Sequence, residues 1–298
     1  MKIANNNLFY FLLLIAMIFW GASWVNVKIL SNYLNEFETM FFRFAITSVT
    51  MIPIIIFLKK SFKIDLRSFT IVILTAIVMI GYMKYFYLGT KLGTASLGGA
   101  LVTSLVPIMI FLILTILGTK KMSKRDSLAL SLGAIGVLTM LNVWSMNIEE
   151  IFVLHNLYFI IAAILWSVLT ILSSKVSKIS PIVFTFYLYI AICIFNLTFF
   201  VDLTTIEYEK LDGIFWINMM IISLAASTFA NTIYFLGIER LGASAVSSFI
   251  FLVPFAAITL SAIFLKETIT FSIVIGTILT LTAVKILNNI KILKRKKS

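Results

Sequence analysis

The chain has 298 residues, of which 61% are hydrophobic and 12% are charged, with a formal net charge of +12 and a mean hydropathy of +1.09. A soluble domain is roughly 45–50% apolar, so this composition excludes a water-soluble fold and requires a lipid bilayer around most of the chain. Its apolar runs reach the length of about 20 residues that a transmembrane helix needs, whereas barrel strands would alternate polar and apolar residues over about ten positions.

Apolar runs between charged or turn-forming breaks divide the chain into ten predicted transmembrane helices. The first run begins at Leu8 and reaches Leu30 without a small-residue cleavage site, which predicts a retained helix and not a signal peptide. The single Cys193 lies inside an apolar run and is predicted to be a packing residue. The predicted spans are 8–27, 40–58, 69–87, 95–117, 127–144, 156–173, 182–201, 214–237, 243–265 and 270–287.

Charged residues separate onto opposite sides of these spans. With the N-terminus inside, most of the 24 Lys and Arg residues fall in inner segments and most of the 12 Asp and Glu residues fall in outer ones. This distribution predicts a multi-pass protein of the cell (cytoplasmic) membrane with both termini in the cytoplasm. The basic tail is predicted to lie at the anionic inner leaflet, and a nucleic-acid partner is not expected.

The chain resembles itself at an offset of 146 to 147 residues. Trp20 aligns with Trp166, and the Leu-Val-Pro triplet ending at Pro107 recurs at Pro254. Because each repeat holds an odd number of spans, the second copy enters the membrane from the opposite side. We therefore predict an all-α integral membrane fold with ten transmembrane helices in two inverted five-helix repeats, residues 1–145 and 156–290, followed by a basic cytoplasmic tail, residues 291–298.

Several short motifs occur in a fixed order along the chain. They are Trp20-Gly21-Ala22-Ser23, Arg43, the small-residue runs 95–100 and 242–245 before the two prolines, Leu265-Lys266-Glu267 and Gly276. In these motifs the chain resembles the EamA type of the drug/metabolite transporter superfamily. One departure is Thr119 after Leu-Gly, where that family often has glutamate, so a role of this acid would survive only at Glu267. The resemblance covers essentially the whole chain and implies export of small metabolites such as amino acids by alternating access, with the fifth and tenth helices peripheral to a central cavity.

Pro107 and Pro254 lie near the middle of the fourth and ninth predicted spans. A proline inside a helix removes one backbone hydrogen bond and frees the carbonyl four residues earlier, here at Thr103 and Ile250. The pattern predicts matched bends. They could act as hinges, or they could be static kinks whose free carbonyls are satisfied by neighbouring helices.

Lys84 is an ionisable residue within a predicted span, where a lysine at mid-helix costs roughly 2.5–3.5 kcal/mol on insertion scales. Its repeat counterpart is Asn231, and Tyr82 and Tyr85 lie beside it in sequence. We predict that Lys84 and Asn231 contact the substrate, with Lys84 binding an anionic group and the tyrosine rings its apolar part. The alternative is a lysine whose ammonium reaches the outer surface along its aliphatic stem.

Trp20 and Trp166 lie at matched positions well inside their spans, where they are predicted either to line the substrate cavity or to pack in the core. Arg43 lies about one turn from the predicted outer surface and is expected to form a structural ion pair with Glu38, or with Glu36. Structural anchoring is favoured for Arg43 over substrate contact.

Other classes of function find little support in the sequence. The single His155 lies in a predicted outer loop, and the chain has neither an HExxH pattern nor a P-loop, which argues against an intramembrane enzyme and an ATP-driven pump. We predict no catalytic residue, metal or cofactor; the expected partners are a small-molecule substrate and the lipid bilayer. The alternatives are a non-transporting receptor or scaffold and a drug or cation efflux carrier, and the oligomeric state stays open between monomer and homodimer.

Overall fold

A computed structural model of the protein describes residues 6–119, 121–145, 153–176, 179–241 and 248–287. These ranges are helical and contain no β-strand. Each of the ten predicted spans overlaps one helix. In chain order the described helices are α1 (Asn6–Leu30), α2 (Glu36–Phe57), α3 (Leu66–Leu92), α4 (Ala95–Ile116), α5 (Lys124–Met140), α6 (Leu154–Ser173), α7 (Pro181–Phe199), α8 (213–241), α9 (Val253–Phe264) and α10 (Phe271–Leu287).

Within the described part of the chain, seven helices are long and apolar enough to cross a membrane, namely α1 to α4 and α6 to α8. Helices α9 and α10 are apolar but shorter, and α5 has 17 residues. Large apolar side chains such as Phe57, Phe199 and Phe264 are exposed on the outside of the bundle. An apolar surface of this kind suits contact with lipid.

Polar residues at the helix starts set several boundaries. The side chain of Asn35 caps α2, and the Glu38 carboxylate accepts a hydrogen bond from the Asn35 backbone N–H at 2.9 Å. Asp65 caps α3 in the same way, Thr94 caps α4, and Asp212 caps α8. Each cap satisfies backbone donors that a helix leaves free in its first turn.

The principal contacts relate α1 to α5 with α6 to α10. Each of α2, α4 and α5 packs against its counterpart in the other half, α7, α9 and α10. Helix α1 packs against α8 and α9, and α6 packs against α3 and α4. Exchanging the two halves leaves this list of contacts unchanged, which is the pattern expected of two repeats related by a pseudo-two-fold axis.

Helices α5 and α10 cross at two glycines. A Cβ atom placed on Gly136 would lie 2.8 Å from the backbone nitrogen of Thr280, and one on Gly276 would lie 2.5 Å from the carbonyl oxygen of Gly136. Glycine at both positions therefore allows the two backbones to touch. The same close approach joins α1 to α9, where a Cβ on Gly21 would lie 2.8 Å from the backbone nitrogen of Ala257.

The two matched prolines have different surroundings. Pro107 lies inside the continuous helix α4, as the sequence predicts. Pro254 instead lies in the first turn of α9, directly after the 3-10 segment Ser248–Leu252. A missing N–H is tolerated in a first turn, so a helix start takes the place of the predicted mid-span bend. A hinge role for either proline stays a prediction, and residues 242–247 before this segment lie outside the described ranges.

Candidate functional site

Helix α8 contains a π-helical segment in its middle. An α-helical part, Gly213–Met220, is followed by the π segment Ile221–Phe229 and then by a second α-helical part, Ala230–Leu241. A π-helix joins residues five apart, and such turns occur frequently at functional sites. The hydroxyls of Ser227 and Thr228 follow the same spacing and donate to the carbonyls of residues 222 and 223 at 2.9 and 3.0 Å.

Arg43 of α2 is a buried cation that faces this π segment, with only 7% of its surface exposed. Its Nε donates to Ser227 Oγ at 3.0 Å, and its Nη1 donates to the Tyr87 hydroxyl of α3 at 3.3 Å. The guanidinium also lies 5.4 Å from the ring centre of Phe44. Among the residues described by the structure, no carboxylate forms an ion pair with Arg43. A buried guanidinium whose partners are all neutral favours an anion beside it.

The expected ion pair between Arg43 and Glu38 is absent from the described structure. Glu38 lies in the first turn of α2, where its carboxylate accepts a hydrogen bond from the Asn35 backbone. Arg43 is five positions further along the helix and therefore roughly 140° around its axis, whereas facing pairs are three or four residues apart. The two side chains thus point to different surroundings, one to the helix start and the other to the interior.

More hydroxyls continue the contact between α2 and the π segment. Thr47 Oγ1 lies 3.2 Å from the carbonyl oxygen of Ser223, and the hydroxyls of Thr50 and Thr228 are 2.7 Å apart. The Ser223 hydroxyl is fully buried and has no hydrogen-bond partner among the described residues. A buried hydroxyl without a partner is costly, so this contact leaves one polar group of the π segment unsatisfied.

Asn231, in the α-helical part that follows the π segment, connects α1, α7 and α8. The indole Nε1 of Trp20 lies 3.0 Å from the carbonyl oxygen of Ala226 and 3.2 Å from Asn231 Oδ1. The Asn231 Nδ2 donates to the Tyr189 hydroxyl at 2.5 Å. The Tyr189 ring in turn stacks on Phe44, with ring centres 4.5 Å apart, and thereby reaches the residue next to Arg43. We call Arg43, Phe44, Tyr87, Tyr189, Ser227, Asn231 and Trp20 the central network.

Lys84 is placed differently from its repeat counterpart Asn231. Its ammonium lies 5.8 Å from the ring centre of Phe37, in the first turn of α2, and 5.9 Å from that of Tyr85. Tyr85 itself contacts Tyr158 of α6, with ring centres 5.5 Å apart. Lys84 therefore lies beside the rings of Phe37 and Tyr85, near the start of α2. Its binding to a substrate stays a prediction.

Trp166 and Tyr82 form a second aromatic contact, between α6 and α3, with ring centres 4.7 Å apart. It matches the contact of Trp20 with Tyr234 of α8, whose ring centres are 5.1 Å apart. Each tryptophan thus packs on a tyrosine from the third helix of the other half. The predicted site residues divide accordingly into one group with Trp20 and Asn231 and another with Trp166 and Tyr82.

Tyr189, Ser227 and the interior position of Arg43 were not predicted from the sequence. The π segment carries no local sequence signature, because its residues also suit an ordinary apolar helix. Within the described ranges, no group of three or more His, Cys, Asp or Glu residues is arranged to hold a metal ion. The central network offers a guanidinium, hydroxyls and an amide, which are groups suited to binding an anionic or polar solute.

Comparisons with known proteins agree over most of the chain. The model of the EamA-like transporter family matches residues 7–142 and 154–289. The uncharacterized transporter YyaM of Bacillus subtilis (strain 168) is 26% identical over 262 residues, covering 85% of this chain and 84% of its own length. The uncharacterized transporter YetK of the same organism is 25% identical over 284 residues, covering 90% and 82%. A solved crystal structure has the same fold, with a TM-score of 0.62 and 15% identity over 93% of this chain and 94% of the other.

Proposed function

The chain belongs to the EamA-like transporter family, and we propose that it carries small metabolites with an anionic group, such as amino acids, through a path between its two halves. Family and relatives make it a multi-pass membrane transporter. The substrate class, the direction and the mechanism are the proposal, and so is the assignment of a transport role without enzymatic activity.

The observation that carries this proposal is the environment of Arg43. It lies between α2 and α3 of the first half and α8 of the second, with neutral hydroxyls as its partners. Burying an unpaired charge costs several kcal/mol, and a carboxylate accepting hydrogen bonds from the guanidinium would offset much of this cost. A substrate anion is therefore favoured at this position, and a cationic drug is disfavoured there because like charges repel.

The same network offers a place for the apolar part of a substrate. The rings of Phe44, Tyr189 and Trp20 lie on the sides of the network next to Arg43 and Asn231. Ligand sites commonly combine aromatic walls with a few polar groups that fix orientation. This combination supports a zwitterionic or anionic metabolite with an apolar side chain, with Lys84, Tyr82, Tyr85 and Trp166 as further contacts along the path.

Alternating access follows from the repeat. We propose ten spans in two inverted repeats, residues 1–145 and 156–290, which supply related gates at the two membrane surfaces. The contacts that survive an exchange of the halves support this arrangement. The charge distribution supports a cytoplasmic-membrane location with both termini inside. Export from the cytoplasm is proposed from the resemblance to the family alone. The basic tail, residues 291–298, lies outside the described residues.

Counterflow into liposomes that contain the purified protein tests this proposal. Liposomes preloaded with an unlabelled amino acid should take up the labelled one, and the free acid should compete far better than its methyl ester, which has the same shape without the carboxylate. Equal competition by acid and ester would overturn the anion assignment. Counterflow of organic cations alone would favour a cation carrier, and counterflow of no solute would favour a scaffold.

A further inference from the structure

The turn between α3 and α4, residues 93–94, is held on one side by Lys28 of α1. The Lys28 ammonium donates to the carbonyl oxygens of Lys91 at 2.8 Å and of Gly93 at 2.6 Å. These carbonyls lie at the C-terminal end of α3, where the helix dipole places negative partial charge. A lysine at this point therefore stabilises the end of α3 electrostatically as well as by hydrogen bonds.

Glu267 holds the other side of the same turn. Its two carboxylate oxygens accept hydrogen bonds from the backbone N–H groups of Ala95 at 2.8 Å and of Ser96 at 2.9 Å, at the start of α4. Charge-assisted bonds of this kind are stronger than those between neutral groups. Glu267 follows α9 in the second half of the chain, whereas the turn and Lys28 belong to the first half. At this turn, Glu267 thus joins the second half to the first.

Directly beside this turn, the space between α1, α2 and α3 is nearly closed. The cavity there has a volume of about 10 Å³, and its lining includes Lys91 of α3, Thr39 of α2 and Tyr87, the hydroxyl partner of Arg43. One water molecule needs about 10–15 Å³ measured in this way. The space beside Tyr87, at the end of the molecule that the charge distribution predicts to be outside, is therefore too small to admit more than about one water molecule.

The opposite end does not have the same pair of charges in its sequence. Lys28 has a counterpart in Lys175, at the 147-residue offset. Leu265-Lys266-Glu267 aligns instead with Leu117-Gly118-Thr119, so threonine takes the place of the carboxylate. Thr119 is exposed, and its hydroxyl donates to the carbonyl of Leu114 at 2.8 Å within its own turn. One end has both charges and the other has only the lysine.

We propose that Glu267 and Lys28 form a gate that holds the carrier closed at the α3–α4 end. Opening this end breaks the two bonds from Glu267 to α4 and releases the turn, which widens the cavity that Lys91 and Thr39 line. Because Thr119 cannot provide an equivalent carboxylate, the opposite end opens more readily, and substrate entry is favoured from that side. The inference rests on the proposed transport function and assigns its resting state.

Cysteine accessibility tests the gate without any substrate. Thr39 lines the closed cavity and is 2% exposed, so a Thr39→Cys variant in a Cys193→Ala background should react slowly with a membrane-impermeant maleimide applied from the α3–α4 side. Adding Glu267→Gln keeps the side-chain shape but removes its charge, and should raise the reaction rate about tenfold. Glu209→Cys, on the exposed α7–α8 connection, is the matched control and should react at one rate in both backgrounds.

If Glu267→Gln leaves the labelling rate at position 39 unchanged, the gate is overturned. An equal rise in the labelling rates at positions 39 and 209 also overturns it, because this would indicate a general loosening of the fold. Thr119→Glu is a second test at an exposed position with little risk to folding. By supplying the missing carboxylate, it should favour closure of the opposite end and so raise the position-39 rate as well. No change in this variant overturns the assigned asymmetry.

These experiments test the transport proposal and the gate proposal separately. Labelling that follows the predicted pattern supports the gate even if counterflow finds no transported anion. Counterflow of a carboxylate together with unchanged labelling in both variants removes the gate and leaves the transport proposal standing.

Discussion

Helices α3 and α8 occupy equivalent places in the two halves but have different geometries. Helix α3 is α-helical over its 27 residues, whereas α8 changes to π-helix at Ile221–Phe229. Helix α3 carries Lys84 beside two aromatic rings, and α8 carries Asn231, bonded to Trp20 and Tyr189. The repeat thus determines which helices meet, whereas the polar centre depends on an irregular segment that α8 has and α3 lacks.

The two halves also divide the chemistry of the central network. The first half supplies the cation, Arg43, and the second supplies the Ser227 hydroxyl that bonds to it and the Asn231 amide that bonds to Tyr189. By sequence offset, the position equivalent to Arg43 in the second half is Tyr189 or Ile190, neither of which carries a charge. A symmetric pair of arginines would repel each other in the membrane, so a single cation placed off the pseudo-symmetry axis avoids that repulsion.

Substitution of Arg43 should have the largest effect. Arg43→Gln removes the charge while keeping some hydrogen bonding, and we expect transport of an anionic substrate to fall about 100-fold, since hydrogen bonds to a charged group contribute about 1.5–3 kcal/mol each. Arg43→Lys should be intermediate, because an ammonium cannot bind in a bidentate manner. Initial counterflow rates at matched insertion levels measure this. The control is Lys285→Gln on α10, an exposed cation remote in sequence from the network.

A loss of less than twofold in Arg43→Gln would contradict the assignment of Arg43 as the anion site. It would return the substrate-binding role to Lys84 on the regular helix α3.

The α5–α10 crossing should respond equally from both halves. Gly136→Ala and Gly276→Ala each place a methyl group against backbone atoms of the facing helix, and we expect each to destabilise the fold by about 1–3 kcal/mol. Thermal unfolding in detergent measures the loss. Gly213→Ala is the control, because no atom lies within 4 Å of its added Cβ. A large difference between the first two variants would show that the crossing, too, is asymmetric.

Asn231 and Lys84 occupy the same repeat position in the two halves, so substitution of each residue compares the two halves directly. Asn231→Ala removes the partner of both Trp20 and Tyr189, and we expect about tenfold slower transport. Lys84→Ala should reduce the rate by less than about threefold, since its recorded contacts are weak cation–π interactions. Parallel counterflow assays decide between them. The reverse order of effects would place the substrate on the α3 side.

The smallest effect is expected at the helix caps. The backbone N–H of Phe215 holds the pKa of Asp212 below its ordinary value, and the Tyr33 hydroxyl acts in the same direction. A carboxyl group whose pKa is lowered by folding stabilises the fold at pH values above its ordinary pKa, and this stabilisation is lost as the pH falls. We therefore expect a slightly lower melting temperature once the pH is below about 4. Asp212→Asn keeps a capping group without titration and should remove that part of the pH dependence. An unchanged pH profile would contradict this role of the cap.

Much of the fold could be predicted from the sequence because a bilayer imposes long apolar runs. All ten predicted spans overlap helices, and the family inferred from the motifs is confirmed. The position of Arg43 was misjudged for a physical reason. The predicted span began at Met40, the first residue of the apolar run, but Glu36 and Glu38 belong to the helix through their cap. Arg43 therefore lies about two turns inside α2.

The central network could not be predicted because it depends on contacts distant in sequence. Ser227 is 184 positions from Arg43, and Trp20 is 211 positions from Asn231. Apolar periodicity reports which side of a helix is buried, but it does not report which residue of another helix lies opposite. Lys84 was predicted as a site residue because it is a charged residue within a span, whereas Tyr189 and Ser227 look like ordinary residues of apolar helices.

The π segment of α8 has a consequence for how that helix can move. The caps Asp65 and Asp212 are 147 positions apart, and so are Tyr87 and Tyr234 beyond the segment, so α8 contains no inserted residue relative to α3. With the same number of residues, α3 forms an unbroken series of α-helical hydrogen bonds, whereas α8 forms π-helical hydrogen bonds over part of its length. The wide turn therefore does not come from an inserted residue, and it lies where α8 contacts Arg43, Thr47 and Thr50. If these contacts separate during the cycle, α8 can slip by one hydrogen-bond register into regular helix and slip back when they re-form.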